Sequence, residues 1–288
     1  MDYVAAIVVF IAIYAILAAS LNVMIGHAGL LSLCHAGFYG IGAYASALAA
    51  ARLGWPVGLA MAGATVLAGV VGALLALALL RLKGDFFILG SLAFQIIIID
   101  VVRNTDDLTG GPHGIAGIPR PAPFGTALTA APDYALLYGA VALAEVLLLH
   151  AVTTSAFGRT LNAVRDDEVA ATAIGRNVTW FRVRAFAIAA AGAGLAGALY
   201  AHYVTFIDPS SFGFAESVYL LSMVVIGGMA TTAGPLLGAA VLVIAPELLR
   251  FVGLSSGVDA NVRQLLYGAL LIAFAFLRPR GIAGRQVL

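Results

Sequence analysis

The chain is a succession of long apolar runs separated by short polar stretches. The runs cover 3–25, 28–50, 57–80, 85–102, 133–153, 185–204, 215–230, 234–252 and 262–277. A helix needs about 20 apolar residues to cross roughly 30 Å of hydrocarbon, and most of these runs have that length. They are continuous rather than alternating, so they predict helices and not the strands of a barrel. The expected fold class is an all-α polytopic membrane protein with about eight or nine transmembrane helices, forming one domain over 1–288.

Two of the runs are interrupted by glycine. One reads Gly26-His27-Ala28-Gly29-Leu30-Leu31-Ser32-Leu33-Cys34-His35-Ala36-Gly37, and the other reads Gly227-Gly228-Met229-Ala230-Thr231-Thr232-Ala233-Gly234-Pro235. They predict that the second and seventh runs are broken or re-entrant. Paired broken segments are where half-helix ends meet a transported solute. Small residues also let helices pack closely, and both readings remain open from the pattern alone. Asn22, Gly29, Ser32, His35, Gln95, Gly227, Gly228 and Gly234 are the candidates for a translocation pathway.

The two longest polar interruptions are 103–132, which reads as a loop, and 154–184, the most charged part of the chain. Within the second, Leu161, Val164, Val169, Ala173 and Ile174 recur at helical spacing, and Gly175 follows where a helix C-terminus would be capped. This predicts a short amphipathic helix or a pair of them, serving either as a docking element for a partner or as a helix lying on lipid. Arg165 and Glu168, three residues apart, are spaced to pair with each other or with a partner's charges.

Composition strengthens the membrane reading. Hydrophobic residues make up 62% of the chain and charged ones 10%, with a mean hydropathy of +1.03. Soluble domains carry roughly 25% charged residues. The position of the charges gives an expected orientation. Of 15 basic residues, ten cluster at Arg81 and Lys83, at Arg159, Arg165, Arg176, Arg182 and Arg184, and at Arg278, Arg280 and Arg285. Basic segments stay cytoplasmic, so 154–184 is expected inside, 103–132 outside, the N-terminus outside and the C-terminus inside. Met1-Asp2-Tyr3 lacks the basic start of a cleaved signal, so the first run is expected to be retained.

Chemistry-bearing motifs are sparse. There is no G-x-x-x-x-G-K-[ST] phosphate loop, and Lys83 is the only lysine. No nucleophile, acid–base or metal-ligand cluster stands out, and Cys34 is the only cysteine, so no enzyme activity, cofactor or metal is expected. Intramembrane ionisable groups are functional candidates. Glu145 lies near the centre of its run and His35 and Gln95 lie deep in theirs, while Asp100 and Glu247 are near ends. Glu145 leaves open a stand-alone ion-coupled carrier or channel, or a purely structural carboxyl.

The stretch Leu21-Asn22-Val23-Met24-Ile25-Gly26-His27-Ala28-Gly29-Leu30-Leu31-Ser32-Leu33 resembles the opening of LivM-type permeases, the membrane subunits of ABC importers for branched-chain amino acids. The resemblance covers roughly 3–280. It continues through Ala36–Tyr44, Leu108–Gly111, Phe157-Gly158-Arg159, Arg165–Ala171 with Gly175, Ala193–Ala201, and Gly227-Gly228 with Gly234–Gly238. It implies a bacterial inner-membrane subunit forming half of a pore with a LivH-type permease. Two separate ATP-binding cassette subunits would supply energy, and a periplasmic or lipid-anchored binding protein would deliver a small-molecule substrate. Membrane lipid, and no nucleic acid, would surround it. The resemblance also implies an ATPase-coupling role for Arg165, Asp166, Asp167, Glu168, Ala171 and Gly175. His27 and Cys34-His35 depart from the residues expected there (Gln or Gly, and Gly-His), which bears on whether the solute is a branched-chain amino acid, urea, an amide or a similar molecule.

Overall fold

A computed structural model describes residues 2–82, 84–122, 128, 130–251, 268 and 281–283. The chain begins with α1 (Asp2–Asn22), which continues into a wider turn over Val23–His27. The amide of Ala28 donates to the Val23 carbonyl at 3.1 Å, an i→i+5 bond. Then follow α2 (His35–Ala51), α3 (Val57–Leu79), α4 (Asp85–Asn104), the single turn α5 (Asp106–Thr109) and β1 (Ile115–Ala116). The second half holds α6 (Ala131–Thr154), α7 (Ala156–Asp166), α8 (Glu168–Ala173), α9 (Val178–Val204), β2 (Phe206–Ile207), α10 (Phe214–Gly227) and α11 (Ala233–Phe251).

Five helices are long and apolar enough to cross a membrane: Asp2–His27, α3, α4, α6 and α9. Three further helices, α2, α10 and α11, are shorter or apolar over only part of their length. α2 has 17 residues and α10 has 14; at 1.5 Å per residue α10 reaches only about 21 Å. The described residues therefore hold five long spans together with these shorter apolar helices. The run expected at 262–277 lies outside the described residues apart from 268. The second and seventh runs break where the glycines fall: residues 28–34 are not helical, and α10 stops at Gly227.

α9 is the central helix. It starts at Val178, not near 185 as the apolar run suggested. Its first turns tolerate arginine because each guanidinium has a partner. Arg182 Nη1 lies 2.8 Å from Glu168 Oε2, and Arg184 stacks over Trp180 at 5.4 Å. Small residues bring its neighbours close. On α3, Ala60, Ala64, Ala68, Gly72 and Ala76 recur every fourth residue and are all buried. A Cβ on Gly72 would lie 2.4 Å from that of Ala190, and one on Gly194 would lie 2.4 Å from that of Ala68. With lipid as solvent, such close backbone approach supplies the dispersion contact that holds helices together.

At one end of the bundle β1 pairs with β2, Ile115 against Ile207 and Ala116 against Phe206. His202 ties the same region together, with Nδ1 2.6 Å from the Pro119 carbonyl and Nε2 2.8 Å from Ser46 Oγ. At the opposite ends of α6 and α9 lie α7 and α8.

Candidate translocation and coupling site

The two helix breaks meet each other. Asn22 is the last residue of α1 and is 4% exposed. Its Oδ1 accepts from the Ala230 amide at 2.9 Å, and its Nδ2 donates to the Thr231 carbonyl at 2.9 Å. One side chain thus satisfies a donor and an acceptor of the non-helical segment 228–232, as a neighbouring strand would. Gly228 there has φ +113° and Ala230 has φ +60°, a conformation held by this pairing and by Thr231, whose hydroxyl accepts from Gly234 N at 3.1 Å.

Glycine is needed for the crossing of α10 and α11. A Cβ on Gly227 would lie 1.9 Å from the Gly234 carbonyl oxygen, and one on Gly234 would lie 2.1 Å from that of Gly228. The amides of Ile282 and Ala283 donate to the Ile226 and Gly227 carbonyls at 2.9 Å each. Two acceptors that the end of α10 leaves open are thereby used.

The charged interruption is a pair of helices in contact with the first break. Ser155 caps α7 through the amides of Phe157 and Gly158, and Asp167 caps α8 through Ala170 N at 2.9 Å. α8 ends in a Schellman motif: Gly175 N donates to Thr172 O at 2.9 Å and Arg176 N to Ala171 O at 3.0 Å, with Gly175 at φ +79°. From α7, Arg165 Nη1 donates to the Gly26 carbonyl at 2.6 Å, and its Nε and Nη2 hold Asp166 Oδ1 at 2.8 and 2.7 Å. Asn162 Oδ1 lies 3.0 Å from His27 Nδ1. A contact path therefore runs from α7 through Gly26 and His27 to Asn22 and on to the second break.

Arg165 and Glu168 do not pair with each other. The chain turns at Asp167 (φ −152°, ψ 103°), which puts the two residues on different helices. Glu168 faces Arg182 instead. The same turn splits the apolar stripe. Leu161 and Val164 are fully buried, whereas Val169 is 80% exposed and Ile174 is 74% exposed. Ala171 packs inward with Val164 and Val178. An open groove of about 960 Å³ runs beside α8, lined by Gly29, Leu31, Leu82, Asp85, Glu168 and Val169 among others.

The remaining candidates are divided between two places. Gly29 is exposed, at φ +68°, and a Cβ there would lie 2.7 Å from Arg165 Cγ, so it belongs with the α7 contact. Ser32 is buried, 3.0 Å from Cys34 Sγ. His35 and Gln95 lie deeper: His35 Nε2 is 3.0 Å from Ser20 Oγ, and Gln95 Nε2 donates to the Phe212 carbonyl at 2.6 Å. Glu145 stands on α6 against α9, where a Cβ on Gly192 would be 3.2 Å from its Oε1. Sequence reasoning missed Glu216. It sits in the first turn of α10 with Oε1 buried and without a partner. It is the second residue of the apolar run 215–230, and an acid at the edge of a run carries no sign of its depth. Among the described residues no group of three or more His, Cys, Asp or Glu side chains could hold a metal ion.

Comparison with known proteins places this architecture in a family. The family described as the permease component of the branched-chain amino acid transport system matches residues 3–275. The high-affinity branched-chain amino acid transport system permease proteins LivM of Salmonella typhimurium and of Escherichia coli K12 are each 34% identical over 94% of this chain and 67% of their own length. The LivH protein of Escherichia coli K12 is 26% identical over 94% of this chain and 91% of its own length. No solved structure matches. The chain is a multi-pass membrane protein, and it belongs to the branched-chain amino acid transport system permease family.

Proposed function

We propose that the chain is the LivM-type half of the pore in an ATP-driven importer of branched-chain amino acids, with α7 and α8 facing the cytoplasm as the seat of a separate ATPase. A LivH-type chain forms the other half, and a binding protein delivers the solute from outside. The observation that carries this reading is the contact of α7 with the first helix break, Arg165 to Gly26 and Asn162 to His27. Force applied to α7 reaches the pore-side segments through that contact and through Asn22. The chain has no phosphate-binding loop of its own, so the force comes from a partner. The exposed Val169 and Ile174 and the groove beside α8 supply the apolar centre of an interface.

The test is retention of the ATPase subunits on purification of the whole complex. Val169→Glu combined with Ile174→Glu removes two apolar contacts worth about 1.5–3 kcal/mol each when buried. ATPase retention is expected to fall by more than about tenfold, with the permease still inserted. Full retention with solute-stimulated hydrolysis would sink the docking role and make α8 a lipid-surface helix.

Orientation is tested separately. In a Cys34→Ala background, cysteine at Asp107 is expected to react with an impermeant thiol reagent in intact cells, and cysteine at Arg176 only after lysis. The reverse pattern inverts the arginine argument.

A further inference from the structure

Five buried side-chain atoms lack a hydrogen-bond partner among the described residues, and two of them are acceptors at mid-depth: Glu216 Oε1 and Gln95 Oε1. The depth follows from their neighbours. Tyr14, at the midpoint of the Asp2–His27 span, hydrogen-bonds the Glu216 carboxyl. Gln95 is at the midpoint of α4 and is 1% exposed. Its amide orientation is set by the bond from Nε2 to the Phe212 carbonyl at 2.6 Å, which leaves Oε1 with nothing to accept from.

The first turns of α2 join the two sites. Ala36 N donates to Ser217 Oγ at 3.2 Å, beside Glu216. A Cβ on the next residue, Gly37, would lie 2.9 Å from Gln95 Oε1, so the oxygen packs directly against the start of α2. Tyr39 lies within Coulombic range of Glu216, and its ring is 5.0 Å from that of Phe212. Tyr14 and Tyr219 add ring faces, edge to face at 5.4 Å.

A buried carboxylate oxygen and a buried amide oxygen that both lack donors are costly to leave so. Whatever completes them must bring donors. A primary ammonium brings three N–H groups and the charge that offsets a carboxylate, and tyrosine faces attract it further. A free carboxylate brings neither.

We propose that Glu216 and Gln95, walled by Tyr14 and Tyr39, form a subsite for the ammonium group of the transported molecule. The proposal deepens the amino acid reading above and rests on it for the identity of the natural ligand.

The test uses the complete importer in nanodiscs and dicyclohexylcarbodiimide, which converts a membrane carboxyl to a stable N-acylurea read by mass spectrometry. Leucine and isoamylamine are expected to slow modification of Glu216 by about tenfold when present at ten times their dissociation constant, as mass action requires. Isoamyl alcohol and isocaproate, which lack the amine, are expected to leave it unchanged. Modification of Glu145 serves as the internal control and is expected to be unaffected by any of the four. Gln95→Leu is expected to weaken the protection. Protection by isoamylamine but not by leucine keeps the subsite and overturns the amino acid reading. Equal protection by the alcohol, protection by none of the four, or no modification of Glu216 at all overturns the subsite and leaves the acceptors to buried water.

Discussion

Asn22→Leu is expected to destabilise the protein and abolish transport together. The leucine fills the same volume but returns neither hydrogen bond, so the Ala230 amide and the Thr231 carbonyl lose the partner that Asn22 provides. Each buried, unsatisfied group costs about 1–3 kcal/mol. The pair costs roughly 2–6 kcal/mol, which lowers the melting midpoint by on the order of 10 °C for a chain of this size. Asn22→Asp separates the two bonds, because a carboxylate still accepts from Ala230 N but cannot donate to Thr231 O. It is expected to fall between leucine and the parent in detergent melting. A leucine variant melting within about a degree of the parent would mean that segment 228–232 holds its shape without Asn22.

Gly227→Ala is expected to be the most damaging single-methyl addition tested. The added carbon meets the Gly234 carbonyl oxygen at 1.9 Å and Gly238 N at 3.0 Å. Neither is the yielding end of a flexible side chain. α10 and α11 must move apart, and the cost is about 3 kcal/mol or more. Separation also disturbs Gly228, whose carbonyl lies 2.1 Å from the place a Cβ on Gly234 would take. Gly139→Ala is the control. It lies within α6 with nothing inside 4 Å of its Cβ position, and alanine there favours the helix by up to about 1 kcal/mol. Folded yield and melting midpoint of the two variants, side by side, give the check. Similar behaviour would show that the crossing is slack.

Much of the architecture was legible in the chain because hydropathy is a one-dimensional signal for a one-dimensional constraint, the thickness of a bilayer. The run read at 133–153 is the helix Ala131–Thr154, and the run read at 85–102 is Asp85–Asn104. The breaks fell in the glycine clusters because a left-handed residue such as Gly29, or a backbone contact such as Gly227 to Gly234, admits no side chain. What hydropathy does not hold is depth and pairing. Glu216 begins a short helix, so an acid at the edge of an apolar run lies level with Tyr14 at the centre of another. Arg182 and Arg184 disguised the start of α9, because their charges are neutralised by residues far off in sequence or stacked on a ring. Asn22 was singled out, but only as one polar residue beside a glycine cluster. Its two backbone partners, over two hundred residues away, were invisible.

The contact that Ile282 and Ala283 make with the end of α10 also orders events in time. The Ile226 and Gly227 carbonyls are made before the amides that meet them, which come only after α11 and the stretch beyond it. Until then the second break lacks two of its hydrogen bonds. Its final shape is therefore reached only once residues 282 and 283 have been made and have folded back onto α10. A chain cut short anywhere between α11 and Gly281 would carry α1 to α11 and still leave that turn unfinished.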